Sequence, residues 1–163
     1  MKQQRRGRAI AMTPDEVDTY LREARTCRVG TVGADGAPHV SALWFVWDGA
    51  SLWLNSLVKS QRWVNLVRAS RVSVLVDGGD EFMELHGVEI IGDAEVVGEV
   101  PRTNAPDPAL AQPERLFGDK YVGGRFVPDG RHAWLRVVPD KVVSWDFRKI
   151  GTSSPGRDTE RPR

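Results

Sequence analysis

Apolar positions along the chain change period several times, and each change marks an element. Val17, Tyr20, Leu21 and Ala24 recur at helical spacing and predict an amphipathic helix over 14–25. Thr13-Pro14-Asp15-Glu16 before it reads as a capping box with proline in the first turn. Short β-type runs come next: Cys27–Val32, Pro38–Trp47 and 51–56, separated by the turn signals Ala34-Asp35-Gly36 and Asp48-Gly49. Trp63, Val64, Leu66 and Val67 predict a short helix near 61–69, and Arg71–Val76 a fourth strand. A long strand is expected within 81–97, bulged at Gly87 or Gly92. Beyond it lie a proline-rich loop over 104–113 and a short helix near 113–122, ended by Gly123-Gly124. Residues 131–147 read as a hairpin turning at Pro139-Asp140.

Short strands, tight turns and inserted rather than alternating helices predict a mainly β fold: an antiparallel β-barrel with peripheral helices. The chain lacks a Gly-x-Gly-x-x-Gly turn or a Gly-Lys-Ser/Thr phosphate loop, which argues against a doubly wound nucleotide fold. One stretch breaks the usual one-wet-face rule. Leu43-Trp44-Phe45-Val46-Trp47 is apolar on both faces, so a cofactor, a partner subunit or a helix must cover the second face.

With 163 residues the chain suits one domain, read as 13–148, between flexible tails at 1–12 and 149–163. Net charge is +1, so no bulk basicity points to nucleic acid. No apolar run approaches the roughly 20 residues that span a membrane. The basic start, Met1 to Arg8, leads into no secretory apolar core. Cys27 is the single cysteine and excludes an internal disulfide; a cytoplasmic setting is expected. His39, His86 and His132 show no zinc-like spacing, so no metal is expected.

The segment Asn55-Ser56-Leu57-Val58-Lys59-Ser60-Gln61-Arg62 carries the candidate chemistry. A helix start already presents unpaired N–H groups and partial positive charge. Lys59 and Arg62 add more, which is unfavourable unless an anion sits there. Phosphate fits: the amides and Ser60 can donate, and Arg62 can grip two oxygens. The alternative is that both cations are solvated surface residues.

The stretches "RVGTVGADGAPHVSALWFVWDG", "LWLNSLVKSQRWVNLVRASRVSVLVD" and "ELHGVEIIGDAEVVGE" resemble the split β-barrel flavoproteins, which include the pyridoxamine 5′-phosphate oxidase-like and the flavin/deazaflavin-dependent oxidoreductases. The resemblance covers about residues 13–148 and is nearest to the branch that uses coenzyme F420. It implies a homodimer with a cofactor groove at the interface and a small-molecule substrate. It implies that Lys59, Ser60, Gln61 and Arg62 hold the cofactor phosphate, and that Asn55 and Ser56 lie along the ribityl chain. His39, Val40, Ser41 and Ala42 match the strand beside the ring, with His39 a candidate proton donor. Trp44 and Trp47 would wall the ring or pack across the dimer. Trp145 and Arg148, in the last strand, would reach the partner's groove. True pyridoxamine phosphate oxidases carry an Arg- and His-rich C-terminal signature; the residues after Trp145 do not reproduce it. The reading is therefore an oxidoreductase using F420, or FMN on the same scaffold; a non-catalytic cofactor- or haem-binding barrel is the third. The insert Pro101–Gly124 is either a lid or a loop.

Overall fold

Thr13 caps the first helix as its sequence requires: its Oγ1 accepts the Glu16 N–H and the Glu16 carboxylate accepts the Thr13 N–H. The computed structural model describes residues 7–151. Helix α1 (Pro14–Glu23) leads into β1 (Thr26–Val32), β2 (Pro38–Trp44), β3 (Val46–Trp47) and β4 (Leu52–Leu57). Helix α2 (Gln61–Arg68), β5 (Arg71–Gly78), β6 (His86–Val97), α3 (Ala111–Tyr121) and β7 (His132–Asp146) complete the chain. Of the expected tails, residues 1–6 and 152–163 lie outside the described residues. Arg8–Ile10 form a short turn, and Met12 donates its N–H to Ser144.

The seven strands make one antiparallel sheet in the order β2-β1-β5-β6-β7-β4-β3. The edge strands β2 and β3 are separated by Phe45 alone. The sheet therefore curls until its edges meet, and β2 comes against β4 without a hydrogen-bonded ladder between them. The barrel is split along that seam. Its interior is filled from alternate positions, Cys27 and Val29, Val72 and Val74, Val88 and Ile90, Leu52 and Leu54, with α1 adding Leu21 and α2 adding Trp63 and Leu66. The Cys27 thiol, fully buried, is pushed up to about 12 by desolvation and acts as packing.

A second cluster lies on the opposite face of β4 and β7. Trp53 and Trp134 pack there against Val46, Leu110 and Phe117. This answers the two-sided apolar run. Phe45 and Trp47 point into the barrel, Val46 points to the second cluster, and Trp44 lies on α3. A helix supplies the cover.

Three expectations change. The second strand is broken at Phe45, because its two halves pair with different neighbours, β1 and β4. The segment 131–147 is one strand, not a hairpin: β7 runs through Pro139 and pairs with β6 on both sides of it. Pro139-Asp140 forms a bulge, since Gly92 lies opposite Pro139 while Ile91 lies opposite Lys141. Proline tolerates that site because a bulge removes the need for its missing N–H. The expected strand over 81–97 begins at His86, after a short turn at Phe82–Glu84. The bulge falls at Gly92, where a Cβ would stand 2.0 Å from the Val138 carbonyl oxygen. Gly92→Ala is expected to destabilise the fold by about 1–3 kcal/mol, the usual cost of overpacking against backbone. Urea denaturation would measure it, and an unchanged midpoint would refute the close approach.

Candidate functional site

Helix α2 starts at the top of the seam. Ser60 caps it: its Oγ accepts the Trp63 N–H at 3.2 Å and donates to the Leu57 carbonyl at 2.8 Å. Lys59, one residue earlier, is exposed. Gln61 donates to Asn65, and the buried Asn65 donates to Thr31 on β1, which ties the helix to the barrel.

Arg62 turns inward and is only 7% exposed. Its Nη1 donates to Ser41 Oγ on β2 at 2.6 Å; its Nε and Nη2 donate to Ser56 Oγ on β4 at 3.2 and 3.1 Å. One guanidinium thus bridges the two strands that no ladder joins. Among the described residues no carboxylate pairs with it, so its partners are neutral hydroxyls. Burial lowers its pKa. A buried cation with only neutral partners is costly. Placed at a helix start, it has the electrostatics of an anion site.

Across the outer face of β4 opens a cleft of about 290 Å³. Trp44, Phe117 and Phe126 form its aromatic walls; Asn55, Asp129 and His132 supply polar groups. Trp44 stacks on Tyr121 with centroids 4.5 Å apart and planes 7° from parallel. Tyr121 Oη accepts the Phe45 N–H and stands 2.7 Å from both the Phe45 and the Arg25 carbonyl oxygens, to which its hydroxyl can donate. The strand break at Phe45 is thereby satisfied by α3. Among the described residues three buried polar atoms have no partner: Asn55 Nδ2 in the cleft, Trp134 Nε1 behind its aromatic wall and His39 Nδ1 on β2.

The sequence pattern of the family described as pyridoxamine 5′-phosphate oxidase matches residues 13–146. The chain belongs to the pyridoxamine 5′-phosphate oxidase family. Among solved structures, this family member is similar to the conserved hypothetical protein Rv2991 from Mycobacterium tuberculosis: 32% identity, TM-score 0.76, 98% of this chain and 100% of that one covered. It is also similar to an F420 reductase, at 27% identity and TM-score 0.58 over 77% of this chain and 94% of that one. The haem storage protein HutZ from Vibrio cholerae shares the fold, at 16% identity and TM-score 0.64 over 82% and 96%. No curated protein matches.

Within this family member Lys59, Ser60, Gln61 and Arg62 share one turn, and Arg62 joins them to Ser41 and Ser56. Ser60 is committed to capping. Val40 and Ala42 are exposed on the outer face of β2, continuing the line of Trp44, while His39 and Ser41 face inward. Trp47 lies inside the barrel and donates to Asp18, away from the cleft. Trp145 lies at the other end of β7 from His132, beside Gly87, whereas Arg148 falls beyond the strand, in the helical turn Phe147–Gly151, where it pairs with Asp146. The insert 101–124 contributes α3, which covers Trp44, and its loop is fastened by buried Arg102, 2.6 Å from Glu114. Sequence reading missed Phe117, Tyr121, Phe126 and the Asp129–His132 pair; the i, i+3 spacing of Asp129 and His132 was the one available signal.

Lys120 is unusual beside this cleft. Its Nζ sits 4.5 Å over the Phe45 ring and 3.4 Å from the Phe45 carbonyl, with no carboxylate partner among the described residues. Burial, with Arg25 adding like charge, lowers its pKa from 10.5 to about 8. Below about 8 the folded and unfolded chains both hold the proton. Between there and 10.5 the unfolded chain holds more, so stability from this group rises with pH. Lys120→Met removes that slope. The variant's stability relative to the parent is expected to fall as pH goes from 8 to 10, read by urea denaturation at fixed salt; a constant difference would refute the burial.

Proposed function

We propose that the protein is an oxidoreductase working with a phosphorylated flavin-type coenzyme, F420 in preference to FMN, on a small conjugated organic substrate. One observation carries the reading: Arg62 is a buried guanidinium held by two serine hydroxyls and no carboxylate, at the start of a helix. A coenzyme phosphate supplies the missing negative charge. Arg62 and Lys59, with the free N–H groups of α2, would hold it. Ser41 and Ser56 position the guanidinium. The unpartnered Asn55 Nδ2 fits a polyhydroxy chain, and the His39–Trp44 strand gives the ring a flat side. When bound, the coenzyme supplies hydride chemistry. The protein's own residues bind, orient and exclude water around the acceptor. F420 is preferred because a relative named for it is 27% identical over most of this chain.

The same reading includes a cytoplasmic homodimer. Val40 at 67% and Trp44 at 46% exposed, with Val32 beside them on β1, leave an apolar strip on an edge strand. A second copy seated there would close the groove, and Trp145 and Arg148 would enter from its far end. Arg62→Ala is expected to weaken F420 and FMN alike at least tenfold, the loss of a charge-assisted contact of about 1.5–3 kcal/mol. Arg62→Lys keeps charge without the fork and should fall between. Fluorescence titration of the coenzyme-free protein measures both. Unchanged affinity in Arg62→Ala would end the phosphate assignment, and a Soret band on adding haem, with neither coenzyme bound, would favour haem binding instead.

A further inference from the structure

The core is left open at one place, under the strap that leads into α1. Val17 of α1, Trp47 of β3 and Val142 of β7 all pack with the barrel interior, yet beside them lies a cavity of about 820 Å³. The strap at Met12 and the turn at Ala50 form its other walls, and it follows β7 from Val138 to Ser144. Six residue steps of strand are about 20 Å, so the cavity is a long groove rather than a round pit. Hydrogen bonds fasten the strap. Met12 donates its N–H to Ser144 Oγ at 3.0 Å, and Lys149 Nζ donates to the Ala11 carbonyl at 2.9 Å and to Glu16 at 2.5 Å. Protein interiors ordinarily hold few voids larger than a water molecule. Apolar walls of this extent therefore favour an apolar occupant.

Charge at the rim selects among apolar occupants. Asp18 is the one carboxylate lining the groove, and it is committed: it accepts Arg22 Nε and Nη2 at 2.7 and 3.1 Å and Trp47 Nε1 at 2.8 Å. Lys149 and Glu16, on the strap and α1, neutralise each other. Arg8 also lines the groove, is exposed, and enters no ion pair among the described residues. The charge left over at this apolar groove is thus a single cation.

We propose that this groove binds a single acyl-chain carboxylate, a free fatty acid, with the chain along β7 beneath the strap and the carboxylate paired with Arg8. The elongated apolar walls suit a chain, and the unpaired guanidinium supplies the counter-charge. None of these residues belongs to the proposed coenzyme site, so the inference is independent of the oxidoreductase reading.

The probe is dodecanoate, added to the full-length protein below its micelle concentration. Calorimetry and ¹H–¹⁵N spectra of the tryptophan indoles are the readouts. One saturable site is expected, with the Trp47 indole resonance shifting and that of Trp134 unmoved. Decanoate, two methylenes shorter, should bind about tenfold more weakly if the chain is enclosed. Arg8→Gln, on the exposed strap, should weaken dodecanoate about fivefold, the scale of an exposed ion pair of about 1 kcal/mol. Dodecyltrimethylammonium, with the same chain and the opposite charge, should not compete. Ala50→Trp, on an exposed turn, should fill the groove and abolish binding while the urea midpoint holds. Absence of a saturable site, a silent Trp47, or equal binding of the cationic amphiphile overturns the proposal. So does an Ala50→Trp variant that instead loses oligomeric mass in sedimentation, which would make a second copy the occupant. Dodecanoate binding only to a chain lacking residues 1–6 would likewise overturn it and assign the groove to the chain's own start. The spectra of the unsubstituted protein decide the matter even where a variant fails to fold.

Discussion

A single guanidinium crosses the one boundary of the barrel that the backbone leaves open. Strands β2 and β4 meet without a ladder, and Arg62 from α2 donates to Ser41 on one and Ser56 on the other. Backbone hydrogen bonding would have closed the seam without charge, and a neutral side chain could have filled it. The protein instead places a cation there, buried and without a carboxylate among the described residues. Desolvating a charge in this way is unfavourable in isolation. It becomes intelligible if the charge is retained for a partner that arrives from outside the chain, which is the basis of the proposed coenzyme site.

The rest of the architecture depends on the same seam. Splitting one apolar run at Phe45 sends β2 and β3 to opposite edges of the sheet, so closing the barrel and creating the seam are one event. The break exposes backbone groups at Phe45, and Tyr121 satisfies both of them. That contact brings α3 onto Trp44 and raises the aromatic wall of the cleft. Core packing and the cleft are therefore made from opposite faces of the same strands: Leu54 and Ser56 face inward while Trp53 and Asn55 face outward.

Membership of the pyridoxamine 5′-phosphate oxidase family rests on a match across residues 13–146. Relatives on this fold bear names as different as F420 reductase and haem storage protein. The scaffold alone therefore leaves the chemistry open, and the reading has to come from particular side chains. Here those are a buried arginine, an unpartnered asparagine and an aromatic wall.

Much of this was legible in the sequence because it is local. The capping box at Thr13, the tight turns and the cations ahead of α2 act over a few residues, and periodicity separates strand from helix at that range. The fate of Pro139-Asp140 was not local: the dipeptide suits a turn or a bulge, and pairing with Gly92, far back in the chain, selected the bulge. Asn55 and Ser56 were singled out together, yet the strand's alternation sends them to opposite faces, and only tertiary structure shows what each face meets. The spacing of His132 from the other histidines signalled no site, and only the pairing of β4 with β7 and the packing of α3 brought it to the cleft. The sequence by itself determined the elements, the barrel class and the positive helix start, since each depends on neighbours within a turn or two. The seam, the orientation of Arg62 across it and the composition of the cleft were decided by tertiary structure, because each depends on side chains that only long-range strand pairing brings together.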